Sequence, residues 1–430
     1  MKRGATFSVS LFVLFVVSCA MAADWTQFRG PGGAGSSEET GLVAEWSSKK
    51  NIIWKTELPG LGTSGPIVIS GRIYLTCYSG YAEDASSPGD MDNLMRHVVC
   101  VDRKSGKLLW SKEFEPKLPE SKYSGGNDSR HGYASSTPVT DGEHLYIFFG
   151  KSGVYCLDLD GNQKWRQDVG DGTRGWGSSN SPVLYKNLLI VNASIEDTAL
   201  VALDKGTGKQ VWKKSGIRGS WNTPVLVETE KGEAELVISL PGKPVGKIVG
   251  MNPESGEELW TCEGIRDGGY VVPSVIAHDG IVYAIGGRQN TAVAVRAGGG
   301  GDVTESHRLW SKGKGSNVSS PVFHDGHIYW THESKGIAYC LNAKNGETVY
   351  EERLEPRPGL TYSSTFVADG KLYCASQYNG TYVLAAKPMF ELLAHNTFED
   401  DNSRINASPI AHDGQLLMRT DANLYCIGTK

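Results

Sequence analysis

Residues 201–212 read VALDKGTGKQVW. The same succession of small residue, Asp or Asn, glycine turn and closing aromatic returns as CVDRKSGKLLW at 100–110, CLDLDGNQKW at 156–165, GMNPESGEELW at 250–260 and CLNAKNGETVY at 340–350. Such a repeat limits the fold more than composition does, because a unit too small to bury its own apolar face must stack against copies of itself. The closing aromatics form a series: Trp54, Trp110, Trp165, Trp212, Trp260, Trp310 and Tyr350, with Phe390 as its least regular member. A second marker precedes each of them, at Gly65-Pro66, Thr137-Pro138, Ser181-Pro182, Thr223-Pro224, Val272-Pro273, Ser320-Pro321, Ser364-Thr365 and Ser408-Pro409. Eight of each marker imply eight units.

Within a unit the marker run leads to an Asp-Gly or similar turn, an apolar run such as HLYIFF or GIVYAI, a run holding the small residue, a glycine turn, and the aromatic run. Short apolar runs divided by Asp-Gly and Ser-Gly turns predict antiparallel hairpins. Four strands per unit at a period of roughly 40 to 50 residues is the signature of a propeller. The fold class is therefore all-β, an eight-bladed β-propeller of four-stranded antiparallel blades. The last unit ends at YCIGTK before any aromatic run, whereas Trp54 sits in NIIWKTEL with no blade before it. The N-terminal strand is thus expected to complete the last blade, which removes a free sheet edge.

In the repeated motif the Asp and Gly shape the turn between third and fourth strands, and the aromatic supplies apolar area between blades. Trp54, Trp110, Trp165, Trp212, Trp260, Trp310 and Tyr350 are read as a structural girdle. Of eight cysteines, Cys100, Cys156, Cys340 and Cys426 take one repeated place, where Ala202 and Gly250 stand in other copies. They read as small core residues, and the seven that follow Cys19 are an odd number for a disulfide framework.

The start, MKRGATFSVSLFVLFVVSCAMAADW, has Lys2 and Arg3 before an apolar run over 11–17 and a small-x-small site at Ala20-Met21-Ala22. This divides the chain into a signal peptide over 1–22 and a propeller domain over 23–430, and predicts export to the periplasm or the exterior. The apolar run is shorter than the roughly 20 residues of a membrane span. Val16-Val17-Ser18-Cys19 loosely matches a lipobox, which makes Cys19 a candidate lipid anchor. A net charge of −5 with scattered basic residues argues against a nucleic-acid partner.

His278-Asp279-Gly280, His324-Asp325-Gly326 and His412-Asp413-Gly414 fall where other units have Thr140-Asp141-Gly142 or Ala368-Asp369-Gly370, so they read as hairpin turns. Thr331-His332-Glu333 lacks the second His of a zinc motif, and no metal ligands are assigned. More informative are the connectors ahead of each inner strand, among them SRHGYASSTPV, TRGWGSSNSPV, IRGSWNTPV and IRDGGYVVPSV. They are expected to bring Arg130, Tyr133, Arg174, Trp176, Arg218, Trp221, Arg266, Tyr270, Tyr362 and Arg404 to the mouth of the central channel. Guanidinium groups beside aromatic faces suit an anionic, planar or sugar-like ligand. The plainer alternative is that these side chains pack the connectors and pair with acids such as Asp171 and Asp267. Insertions at 79–97 and 113–132 are expected on the same face, as a lid or docking surface, and Gly298 to Gly301 as a flexible turn on the other.

The motif A-x-D-x-x-T-G-x-x-x-W at 202–212, with DWTQFRGPGGAG and NIIWKTELPGLGTSGPIV near the start, resembles the PQQ-like (pyrroloquinoline quinone) eight-bladed propeller superfamily. The match covers the mature chain and looks like a secreted branch abundant in planctomycete-type bacteria. That superfamily holds both quinoprotein alcohol dehydrogenases and the lipoprotein scaffold of outer-membrane barrel assembly, so fold alone does not choose a function. For the enzymes the resemblance implies a vicinal Cys-Cys pair, a Glu, Asn and Asp set for Ca2+, and an Asp base. This sequence has no Cys-Cys pair and no C-x-x-C-H, and the calcium ligands and base match no position. The reading is an exported, non-enzymatic binding or scaffold propeller without a predicted cofactor or assigned catalytic residue. Its partner is a protein, a polysaccharide or a small anionic ligand. The alternative is a PQQ- and Ca2+-dependent alcohol or sugar oxidoreductase.

Overall fold

The computed structural model describes residues 24–84, 86–122 and 131–429. Residues 1–22, read as a signal peptide, with Cys19 among them, and Arg130 lie outside the described residues. Among the described residues the strands form eight sheets arranged as blades around an axis. Blade 3 shows the plan: Val183–Tyr185, Leu188–Ala193, Ala199–Asp204 and Gln210–Ser215 pair antiparallel in chain order, from the axis outward. Blade 8 is made of Ile410–His412, Gln415–Arg419 and Asn423–Ile427, and its fourth strand is Ile52–Glu57 from the other end of the chain. The expected closure is present, with Trp54 opposite Cys426 and the Leu58 amide donating to the Ala422 carbonyl at 2.8 Å. No helix among the described residues is long and apolar enough to cross a membrane.

The first hairpin of several blades turns on two residues with left-handed backbone, Asp279-Gly280, Asp325-Gly326, Asp369-Gly370 and Asp413-Gly414. Positive φ at both positions gives the turn whose twist matches the flanking strands, so the three His-Asp-Gly triplets are hairpin chemistry.

The repeated motif earns its regularity between blades. On the third strand the small residue stands directly opposite the aromatic: Cys100 faces Trp110, Cys156 Trp165, Ala202 Trp212, Ala294 Trp310 and Cys340 Tyr350. A larger residue there would occupy the space the indole needs. The indole then reaches over the turn glycine of the next blade: Trp54 onto Gly106, Trp110 onto Gly161, Trp165 onto Gly208, Trp212 onto Gly256 and Trp310 onto Gly346. Gly256 has φ +70°, and a Cβ there would stand 2.5 Å from the Trp212 ring, so both conformation and clearance require glycine. Three of the indoles also donate to a carbonyl of that next turn, Trp165 to Lys205, Trp212 to Pro253 and Trp310 to Ala343.

Four details depart from the sequence reading. Trp260 lies on its own blade: opposite it is Gly250, whose missing side chain lets the ring settle on the sheet, and its Nε1 donates to buried Glu235 at 2.6 Å. Glu235 also accepts from the Gly298 amide, and Gly301–Asp302 pairs in parallel with Trp260 and Thr261, so this glycine loop is hydrogen-bonded onto blade 4. Phe390 precedes the outer strand Leu392–Asn396; the register after its bulge puts Ala394 in the girdle place, in one apolar cluster with Trp46. In blade 5 the marker is Ser274 rather than Val272, for reasons given below.

The segment after residue 24 crosses the axis before it reaches blade 8. Trp25 exchanges backbone hydrogen bonds with Val68 of blade 1, and Thr26 accepts from Thr140 of blade 2. Farther on, Ser36–Ser37 pairs in parallel with Phe366–Ala368, the inner strand of blade 7.

Candidate functional site

Two residues ahead of each inner strand a residue stands on the channel wall: Gly65, Thr137, Ser181, Thr223, Ser274, Ser320, Ser364 and Ser408. The amide of each donates to the hydroxyl of the next around the axis, from Gly65 to Thr137 at 2.8 Å through to Ser364 to Ser408 at 3.0 Å. Seven of the eight blade boundaries carry this bond. At the boundary of blades 8 and 1 the next residue is Gly65, which has no hydroxyl. Membership of this ring makes Ser274 the marker of blade 5. Each hydroxyl accepts one amide and keeps its own proton to donate.

At the mouth, above this ring, is a cavity of about 450 Å³, reached by residues of all eight blades. Trp176, Trp221, Tyr270 and Tyr362 supply its aromatic walls. Trp176 and Tyr270 meet edge to face at 4.9 Å, and Trp176 and Trp221 are 5.6 Å apart. Trp221 is 5% exposed and donates its Nε1 to the Gly177 carbonyl at 2.7 Å, whereas Trp176 is 39% exposed and hangs over the opening. Asn317 donates to the Tyr270 hydroxyl at 2.6 Å, and Glu333 is held by the Asn317 amide at 2.9 Å and the Ser316 hydroxyl at 3.0 Å. His131, next to Ser135, has its pKa pushed down to about 4 by burial, so it is neutral at pH 7. Phe28 of the N-terminal segment also lines this cavity.

The four aromatics above come from the set read as channel-mouth residues; the other described members of that set do not line the cavity. Arg174 is exposed, with its guanidinium 5.5 Å from the Trp221 ring. Arg218 and Arg266 are exposed, Arg266 on the outer strand Glu258–Gly268. Arg404 pairs with buried Asp421 at 2.6 Å, an attraction that raises its pKa against the opposing effect of burial. Tyr133 is buried among Tyr78, Tyr81 and Leu94, joining the two insertions, and its hydroxyl donates to the Ser121 carbonyl at 2.9 Å. Asp171 pairs with Lys117. Among the described residues no Lys or Arg lines the cavity. Asn317, Glu333 and Phe28 were missed because nothing in their local sequence distinguishes them. Glu333 sits in the Thr-His-Glu triplet that was weighed only as a metal motif.

Residues 95–352 match the family described as outer membrane protein assembly factor BamB. The chain belongs to this family. BamB of Yersinia pestis is 23% identical over 352 residues, which are 76% of this chain and 79% of that protein. Quinoprotein alcohol dehydrogenase PedH of Pseudomonas putida is 28% identical over 199 residues, 44% of this chain but only 31% of the enzyme, so the chain spans about a third of that relative. The structure of BamB from Moraxella catarrhalis superposes with a TM-score of 0.58 at 12% identity over 88% of this chain and 97% of that one. Quinohemoprotein alcohol dehydrogenase from Comamonas testosteroni gives 0.61 at 12% identity, over 95% and 81%. At 12% identity the two superpositions speak for the fold alone.

Proposed function

We propose that this chain is an exported, non-enzymatic binding propeller whose axial cavity takes a neutral, hydroxyl-rich ring ligand, the sugar units of a glycan. The observation that carries the proposal is the lining: a cluster of aromatic rings beside amide, hydroxyl and carboxylate groups, with no cation among the described lining residues. Sugar rings stack on indole and phenol faces through their C–H groups and hydrogen-bond at their edges, which is what Trp176, Tyr270, Asn317 and Glu333 offer. A small anionic ligand would meet Glu333 without a compensating cation.

The kinship with quinoprotein dehydrogenases makes a PQQ- and Ca2+-dependent oxidoreductase the second reading, and the residues present do not fit it. A planar tricarboxylate finds no Lys or Arg on the described wall. The seven described cysteines are buried and free, dispersed through the blades. Of the Glu, Asn and Asp set for Ca2+, the described lining residues offer Glu333 as their one carboxylate and no Asp.

Titration of the protein's tryptophan fluorescence with neutral α- and β-glucan hexasaccharides tests the proposal. Trp176→Ala should weaken binding by about 1–3 kcal/mol, roughly 5- to 150-fold, with little change in melting temperature, because the side chain is exposed. Arg218→Ala should leave binding unchanged. Equal affinities for wild type and Trp176→Ala would remove the cavity from the account.

A further inference from the structure

The N-terminal segment carries a charge to the axis without a counter-charge. Arg29 is 4% exposed. Its Nε donates to the Gly33 carbonyl at 3.2 Å, and its Nη2 to the carbonyls of Ala34, at 3.1 Å, and Pro321 of blade 6. Nη1 is buried and has no hydrogen-bond partner among the described residues. None of the ion pairs formed by the described residues includes Arg29, and burial pushes its pKa down to about 9 with no carboxylate offsetting it. A guanidinium does not escape this cost by losing its proton at neutral pH, so a buried one calls for a negative partner.

Beside it is a second cavity of about 190 Å³, which adjoins the proposed glycan site, shares Phe28 and Ser274 with it, and is lined by Gln27, Phe28, Arg29, Thr223 and Ser274 together with apolar side chains. Thr223 and Ser274 are more than nine-tenths buried and belong to the hydroxyl ring. Each hydroxyl accepts an amide from its neighbour and still has its own O–H to donate, and neither donates to any described group. The cavity therefore joins a positive charge to two neutral donors, with no carboxylate in its lining. Water there would solvate the guanidinium without neutralising it.

We infer that this cavity is a binding site for one small inorganic anion, held by Arg29 and the hydroxyls of Thr223 and Ser274. The anion would tie the N-terminal segment to blades 4, 5 and 6 at the axis. The shared chemistry admits a halide or an oxyanion, and two probes separate them.

Crystals of the whole protein soaked in bromide should show an anomalous peak within hydrogen-bond distance of Arg29 Nη1, and phosphate soaks should show tetrahedral density if the site prefers an oxyanion. In solution, chloride or phosphate replacing gluconate at constant ionic strength should raise the melting temperature by about 1–2 °C per tenfold increase above Kd. Arg29→Gln should abolish that dependence. If that variant does not fold, Thr223→Val should weaken it, and the wild-type soaks stand regardless. Water alone beside Nη1 in both soaks, or a peak seen only at molar salt with no saturable effect below about 100 mM, an adventitious ion only, would overturn the inference. Neither readout involves a glycan, so failure here leaves the proposed function standing.

Discussion

A chain lacking residues 24–58 should lose cooperative unfolding and aggregate. The deletion removes Ile52–Glu57, the outer strand of blade 8, and leaves Asn423–Ile427 with an unpaired edge of backbone groups. It also removes Trp54, whose indole covers Gly106 of blade 1 and so holds the one boundary that the hydroxyl ring does not bridge. At that boundary the remaining links include buried Arg419, which donates to the carbonyls of Ser64 and Thr76 at 3.1 and 2.8 Å. A shorter deletion of 24–37 separates the two roles of the segment, because it takes away the axial crossing and keeps the closing strand. Its unfolding should stay cooperative at a lower melting temperature. Differential scanning calorimetry distinguishes the outcomes, and a 24–58 deletion that melts as one sharp transition near the wild type would show that the ring is not closed by this strand.

Trp212→Ala should destabilise the protein by about 3–5 kcal/mol, the range for deleting a large buried aromatic. The indole is 8% exposed, fills the step between blades 3 and 4 above Gly256, and donates to the Pro253 carbonyl at 3.0 Å. Ala would leave a cavity between two rigid sheets and a carbonyl without its donor. Chemical denaturation should show a lower midpoint, and glycan affinity measured well below the transition should not change. A variant as stable as wild type but unable to bind would mean that the girdle serves the ligand and not the fold.

The architecture was legible because it is written eight times. Asp-Gly turns and a small residue ahead of each closing aromatic are local features whose repetition averages out exceptions, and a strand without a blade at one end matches a blade short of a strand at the other. Trp260 escaped because Gly250, one of the small residues already recognised, is small enough to let the ring change partners. Ser274 escaped because Val272-Pro273 imitates the marker two residues early, and only the hydrogen-bonded ring sets the register. At the site, the aromatics could be read from the connectors, since rings near the axis bury area wherever the chain turns inward. The arginines could not be placed in the same way: their long side chains swing to solvent, stack on the outer face of Trp221 or seek Asp421, and sequence does not say which. Arg29 was read only as part of an opening motif, because nothing local announces that this segment returns through the axis.

The measurement that bears most directly on the proposed function is a titration of the purified protein with PQQ in the presence of Ca2+, followed by absorbance and by dye-linked oxidation of an alcohol. No saturable binding at micromolar quinone and no dye reduction are expected, while the same preparation binds glucan through Trp176. Stoichiometric quinone binding strengthened by Ca2+, with turnover, would contradict it.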